Sequence, residues 1–297
     1  MAVHLDSPLT EFAPAKINLS LEVLGKRTDG YHEIASLVAF ADAGDVLTLR
    51  PGEEARVTTS GPFGQSIAGA NLVETALHLV ARAEARLRLG AVHLEKNLPV
   101  AAGIGGGSAD AAAVLRLLRR ANPELAGGID WHRLAMQLGA DVPVCLQSRL
   151  SWMTGIGEKV EPILLNSPFA LHAIIANPLV GVPPDKTAQV FRAVRAPPLA
   201  ADFMAPPFAH AQAGGIALVD FVAASRNTLQ RAASDVVPAI AEVLKDLKQL
   251  PGSRLARMSG GGPTCFAIFD TAAAAESARV ILAEARPQWW VVAATLG

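Results

Sequence analysis

The sequence predicts an α+β fold, and three features carry that prediction. Stretches with strand alternation and stretches with helical spacing follow one another without a regular strand–helix–strand rhythm, which argues against a doubly wound parallel sheet. The chain has 297 residues and is 51% hydrophobic, enough for one large core or two ordinary ones. Two glycine clusters, Gly103 to Gly107 and Gly260 to Gly262, interrupt the pattern.

Ile17, Leu19, Leu21 and Val23 alternate with Asn18, Ser20 and Glu22, the period of a half-buried strand. Lys16 falls in line with Asn18 and Ser20, where a solvated lysine is the ordinary expectation. "DVLTLR" (45–50), "ARVTTS" (55–60) and "AVHLEK" (91–96) read as further strands. Residues 71–87 form an amphipathic helix by pattern, with Leu72, Ala76, Leu79 and Ala83 as its stripe. After the first glycine cluster, Ser108 is expected to cap a helix carrying Asp110 in its first turn and ending near Asn122-Pro123. A helix over 130–139 is capped by Asp130 and closed by Gly139. Asp141, two residues before Pro143, reads on its own segment as another N-cap.

Strand-like 169–178 starts a second lobe, and the Ala- and Pro-rich stretch 196–215 is the least structured by composition. A helix over 235–250, a strand over 264–270, a helix over 271–285 and a strand over 289–295 complete the chain.

Lys and Arg number 26 against 27 Asp and Glu, a formal net charge of -1. That balance argues against a nucleic-acid surface but not against one small anion held by a few aimed donors. Cys145 and Cys265 lie far apart in no metal-type spacing, giving neither a disulfide framework nor a zinc site. The N-terminus lacks the basic and apolar blocks of a signal peptide. The uncharged run 167–184 is broken by Pro168, Pro178, Pro183 and Pro184, so no membrane helix is expected and the setting is cytoplasmic.

The segment "AAGIGGGSADAAA" (101–113) is the chemical centre of the sequence. Glycine allows positive φ and a close approach of an anion to the main chain. A helix start adds free N–H groups and a positive dipole end, so the loop reads as a phosphate cradle. The Walker pattern is absent, and the dinucleotide pattern fails because Ser108 stands at the third glycine. A flexible turn or close backbone packing is the competing reading. "SGGGPT" (259–264) is weak alone, but two glycine turns could close over one charged ligand. Asp141 and Lys16 would suit a carboxylate that accepts a hydroxyl proton and an ammonium that steadies the alkoxide, if they meet. Spacing does not decide that.

Three segments taken together go further. "PAKINLSLEVLGKRTDGYHEI" (14–34), "LPVAAGIGGGSADAAAVL" (98–115) and "SGGGPTCFAIF" (259–269) resemble, in order, the three motifs of the GHMP small-molecule kinases. "LGADVPVCL" (138–146) resembles the family's segment with the catalytic aspartate. "PAKINL" followed by "RTDGYHE" resembles the branch acting on a cytidine-diphosphate-linked methylerythritol, rather than those for homoserine, mevalonate or galactose.

The resemblance implies a two-lobed α+β fold, residues 1–165 and 166–297, with the active site in the cleft between lobes. It implies transfer of the γ-phosphate of ATP, with Mg2+, to the 2-hydroxyl of that substrate in non-mevalonate isoprenoid synthesis. By position, Asp141 would be the base and Lys16 its partner. Pro99, Val100, Ala101, Ala102, Gly103, Ile104, Gly105, Gly106, Gly107, Ser108 and Ala109 would hold the ATP phosphates, with Lys96 close by. Asn18 would sit at the erythritol end, Tyr31, His32, Thr187 and Phe191 at the cytosine, and Gly261 and Gly262 on the substrate.

Two positions and one short segment depart from the family's pattern. Gly261 stands where serine is common, Ala109 where a second serine is frequent, and Asn227-Thr228-Leu229-Gln230 where an Asn-Asp-Leu-Glu-like start is expected. Ser108 is thus the loop hydroxyl open to Mg2+. The rivals are a sister kinase for a smaller alcohol and a nucleotide-binding protein without catalysis.

Overall fold

The computed structural model describes residues 7–67, 71–165, 169–200, 202–208 and 215–297, the side chains of 215–217 excepted. Parts of three expectations therefore lie outside the described residues: the first six residues, 167 and 168 of the uncharged run, and 201 and 209–214 of the Ala/Pro-rich stretch.

The first half of the chain runs β1 (Leu9–Asn18), β2 (Glu22–Lys26), β3 (His32–Arg50), β4 (Arg56–Ser60), α1 (Leu72–Ala83), β5 (Ala91–Glu95), α2 (Gly106–Ala121), α3 (Pro123–Ala126), α4 (Trp131–Leu138) and α5 (Val142–Gln147). There follow β6 (Ser151–Gly155), β7 (Lys159–Pro162), β8 (Leu171–Asn177), α6 (Lys186–Val194), α7 (Gly215–Ala224), α8 (Gln230–Val236), α9 (Ala239–Gln249), β9 (Leu255–Met258), β10 (Cys265–Phe269), α10 (Ala272–Ala285) and β11 (Trp290–Leu296). None of these helices is long and apolar enough to cross a membrane.

Two compact units emerge, each assembled from several segments. One takes Ala43–Val100 and Gly105–Ser148 with the chain up to Ala15; the other takes Lys16–Asp42, Ala101–Ile104 and Arg149–Gly297. Because β1 and β3 each pass from one unit to the other, this grouping differs from a single cut in chain order near residue 165.

In the first unit β5 lies between β4, parallel to it, and the end of β3, antiparallel to it. Helices α1, α4 and α5 pack on α2, which buries residues around nearly its whole circumference, from Ala111 to Leu118 except Arg116. An alanine-rich helix suits that place because small side chains admit neighbours closely. On α1 the buried stripe is Val73, Ala76, Leu77 and Val80, rotated from the expected one and sharing only Ala76 with it. The helix also stops at Ala83 instead of 87, where Glu84 turns extended and binds Arg86. Arg116 is the polar exception on α2. It donates to Glu11 (2.7 Å), to the Phe12 carbonyl (2.9 Å) and to the Cys145 carbonyl (2.7 Å) in the last turn of α5. One planar guanidinium thereby fixes the start of β1 and closes a helix end.

In the second unit β11, β8, β10 and β9 pair antiparallel in that order, while the first part of β3 pairs with β2 and β6. Helices α8, α9 and α10 cover a core of Ile174, Ala176, Ile240, Val243, Leu247, Ala267 and Phe269. The single strand expected over 17–23 is interrupted between Asn18 and Glu22. Side chains replace the ladder there: Ser20 Oγ accepts from Leu37 N (3.0 Å), and Ser36 Oγ donates to the Ser20 carbonyl (2.6 Å). Nor is one face of this segment solvated. Lys16, Asn18 and Ser20 are buried along with the apolar residues between them. A polar strand face sealed from water requires internal partners, and this one is turned toward the glycine-rich turns.

Candidate active site

Within the first unit the glycine loop ends on α2. Gly105, at φ 65°, is the residue before the helix, and the first intrahelical bond runs from Ala109 N to the Gly105 carbonyl (2.8 Å). The amides of Gly106, Gly107 and Ser108 precede that bond and have no acceptor among the described residues. Three free donors on the positive end of a 16-residue helix are what binding of an anion asks for. Ser108 is therefore not the cap that the sequence suggested but the third residue of the helix, and Asp110 lies beyond the first turn. The left-handed conformation at Gly105 sets the start one turn earlier.

Asp110 points inward. Lys96 Nζ lies 2.6 Å from Asp110 Oδ2 and 2.5 Å from Asp45 Oδ2, with all three groups buried. Asp45 Oδ1 accepts from the amides of Asn97 (2.6 Å) and Leu98 (2.8 Å), while Asp110 Oδ1 has no partner among the described residues. Burial pushes Asp110 up to about 8 against the pull of Lys96. For Lys96 burial works against the charge, but Asp110 and Asp45 outweigh it and hold the ammonium above the usual lysine range. Burial thus pulls Asp110 toward its protonated form, while the two acidic side chains keep the Lys96 ammonium charged. A Cβ placed on Gly106 would come 3.1 Å from Lys96 Nζ, so this cation lies directly under the first residue of α2.

Asp141 occupies the position before α5 but its carboxylate makes no capping bond. A cap bonds the second or third amide of a helix, and the second residue here is Pro143, which has no N–H. Asp141 itself is helical (φ -84°, ψ -13°) rather than extended.

Within the second unit Lys16 ends up buried rather than solvated, and its backbone N–H donates to the Ile104 carbonyl (2.9 Å). Asn18 N binds Ser259 Oγ (3.1 Å), Asn18 Nδ2 donates to Ser36 Oγ (2.8 Å), and its buried Oδ1 has no partner among the described residues. The turn after β9 meets the loop backbone to backbone: a Cβ on Gly103 would lie 2.5 Å from the Gly262 carbonyl oxygen. Gly103, Gly260 and Gly262 all take positive φ. Gly261 does not, and a Cβ there meets nothing within 4 Å. Lys186 Nζ, reaching in from the first turn of α6, donates to the carbonyls of Gly262 and Ala101, the latter at 3.3 Å. Burial pushes this ammonium down to about 8.

Four residues expected to share one role do come together. Tyr31, His32, Thr187 and Phe191 line one cavity of about 530 Å³, with Ile34, Ile156 and Pro184. The His32 and Phe191 rings stack with centroids 5.1 Å apart, and Tyr31 is exposed. Burial, aided by Lys26, lowers the His32 pKa, which favours the neutral ring. The sequence reading missed Lys186 and Asp45. Nothing in "PPDK" or "AGD" signals burial, since each lysine or aspartate alone is an ordinary surface residue.

Glycine amides free at the start of a helix in the first unit, and paired glycine turns with an aromatic pocket in the second, are the parts expected of a nucleotide-dependent small-molecule kinase. The GHMP kinases N terminal domain matches residues 71–149, and the GHMP kinases C terminal domain matches 217–288. The chain belongs to the GHMP kinase family. It is 49% identical to the 4-diphosphocytidyl-2-C-methyl-D-erythritol kinase of Rhodopseudomonas palustris (strain BisB18), over 97% of this chain and 95% of that one. The crystal structure of a 4-(cytidine 5'-diphospho)-2C-methyl-D-erythritol kinase superposes with a TM-score of 0.77 at 33% identity, covering 97% of this chain and 99% of that one. Homoserine kinase from Cytophaga hutchinsonii shares the fold, with a TM-score of 0.70 at 17% identity over 99% and 96% of the two chains.

Two stability measurements probe the buried charges. In urea unfolding, Lys96→Met is expected to lose about 3 kcal/mol or more, because it strands the Asp45 carboxylate in the interior. Asp110→Asn, which imitates the protonated carboxyl, should stay within about 1 kcal/mol of the parent. Lys186 gives a pH signature. Its folded form discharges at about 8, while an unfolded lysine keeps its proton to about 10.4. Between those values the unfolded chain binds more protons, so stability rises with pH. From pH 7.5 to 9.5 the parent should gain about 2 kcal/mol relative to Lys186→Met.

Proposed function

We propose that this chain transfers the γ-phosphate of ATP to the 2-hydroxyl of 4-diphosphocytidyl-2-C-methyl-D-erythritol, a step of non-mevalonate isoprenoid synthesis. The observation that carries this choice of acceptor is the aromatic cavity. Tyr31, His32, Thr187 and Phe191 converge there from segments more than 150 positions apart in sequence, making a nucleobase-sized slot with a stacking face. Beyond the place that ATP itself needs, a kinase for a small alcohol such as homoserine or mevalonate has no acceptor base to stack in a second slot. The full-length similarity to relatives bearing the cytidylyl-methylerythritol kinase name supports the same acceptor.

Phosphoryl transfer asks mainly for alignment and for charge placed where the moving group is. In this reading the amides of Gly106, Gly107 and Ser108 bind phosphate oxygens, and the Lys96 ammonium beneath them adds positive potential at no cost in further ordering. Asp141, whose carboxylate makes no capping bond to α5, accepts the proton of the acceptor hydroxyl. Lys16 stabilises the developing alkoxide. Asn18 offers its unpartnered Oδ1 to a substrate hydroxyl near the Gly260 turn.

Mg2+ binds through few protein groups and several phosphate oxygens and waters. The Ser108 hydroxyl, which has no partner among the described residues, fits such a site, where the ion would neutralise triphosphate charge. The lobes 1–165 and 166–297 and a cytoplasmic setting with ATP as co-substrate belong to this reading.

The test is product analysis. Incubated with ATP, Mg2+ and the cytidylyl substrate, the protein should yield the 2-phosphate, and homoserine and mevalonate should not be consumed. Asp141→Asn and Lys16→Met should each lower kcat by about 100-fold or more with melting temperatures near the parent's. Turnover by Asp141→Asn at the parent rate would remove that residue from the mechanism.

A further inference from the structure

A cradle for an anion must present amides and hide carbonyls, because a carbonyl oxygen facing a phosphate oxygen repels it. Around the two glycine turns of the second unit, five carbonyls are taken up by donors of the protein itself. Thr264 N binds the Ala102 carbonyl (3.1 Å), Ser259 Oγ that of Gly103 (3.3 Å), and Asn227 Nδ2 that of Gly260 (2.9 Å). Lys186 Nζ takes two more, those of Ala101 and Gly262. Among these donors it is the one that comes from outside both turns yet reaches both.

Lys186 is an unusual residue for that task. It is 5% exposed and makes no ion pair among the described residues. An ammonium buried among carbonyls is unfavourable unless its hydrogen bonds are used, and a packing role alone would suit an apolar chain. Its partner Ala101 is a non-glycine residue at φ 55°, a conformation that needs outside support. The same helix carries Thr187 and Phe191 into the aromatic cavity.

We propose that Lys186 is a positioning residue for phosphoryl transfer: it turns the Ala101 and Gly262 carbonyls away from the ligand side and ties the phosphate-binding turns to the helix that lines the nucleobase pocket. The inference rests on the phosphate reading of these turns given above. It adds a residue that never touches the reacting atoms but sets which backbone groups do.

Steady-state kinetics and thermal melting on Lys186→Met and Lys186→Gln test it, alongside calorimetric ATP binding to the parent. Lys186→Met should raise the KM for ATP about tenfold or more and lower kcat similarly, while the acceptor KM changes less than about threefold. Glutamine is shorter by one bond and uncharged, so Lys186→Gln should raise the ATP KM about three- to tenfold. If the methionine variant does not fold, the glutamine variant decides. A folded variant with a lower melting temperature but an ATP KM and kcat within twofold of the parent would show a structural tie alone and overturn the proposal. Failure of the parent to bind ATP would remove the phosphate reading and this inference with it, whereas parent binding with unaffected variants removes only the role of Lys186.

Discussion

The approach of Gly103 to Gly262 is the constraint on which the second unit's polar architecture depends. A methyl group on either residue would strike backbone or core atoms, the Gly262 carbonyl in one case and Met258 and Ile240 in the other. Two chain segments 159 positions apart can come this close only where both lack side chains. Their backbones must then satisfy one another or find donors nearby. Ser259, Thr264, Asn227 and Lys186 are those donors, and each comes from a separately packed element or from the turn itself. The glycines are therefore less a source of flexibility than a means of rigid contact.

In the first unit the organising feature is a charge balance. One lysine and two aspartates share a dry interior below the start of α2. The arrangement fixes the loop twice, through the amides of Asn97 and Leu98 on Asp45 and through Lys96 on the helix itself. The polar face of β1 follows the same economy: sealed from water, it lends its groups to the turns rather than to solvent.

Much of this was legible in the sequence, and the failures have physical causes. The five elements expected over 169–295 have counterparts in β8, α9, β10, α10 and β11 within a few residues of their bounds, because alternation and helical spacing there report one buried face each, whereas α6, α7, α8 and β9 were not foreseen. The four residues assigned to the cytosine were found in one cavity, although residues 31–32 and 187–191 share no local signal. Family resemblance, not periodicity, linked them. What failed was inference about burial. Alternation at 16–22 predicts one wet face, and a strand packed on both sides looks the same. Likewise, Ser108 resembled a cap because the left-handed turn at Gly105, which moves the helix start forward, leaves no trace beyond a glycine among glycines. Lys186 and Asp45 are buried charges, and a buried charge is announced only by its partners, which here are distant in sequence.

The turn at 260–262 divides its three glycines unequally. The outer two are held by positive φ and by atoms already in contact, so their identity is set by geometry. Gly261 has ordinary φ and empty space where a side chain would be. The single departure from the family's serine in this turn thus falls on the one residue of the three that is free to drift, and what it changes is chemical rather than mechanical: a hydroxyl is withdrawn from the turn while the backbone that bears it keeps its course. Sequence variation in a rigid loop is channelled in this way. It alters the decoration of the turn and leaves its path alone.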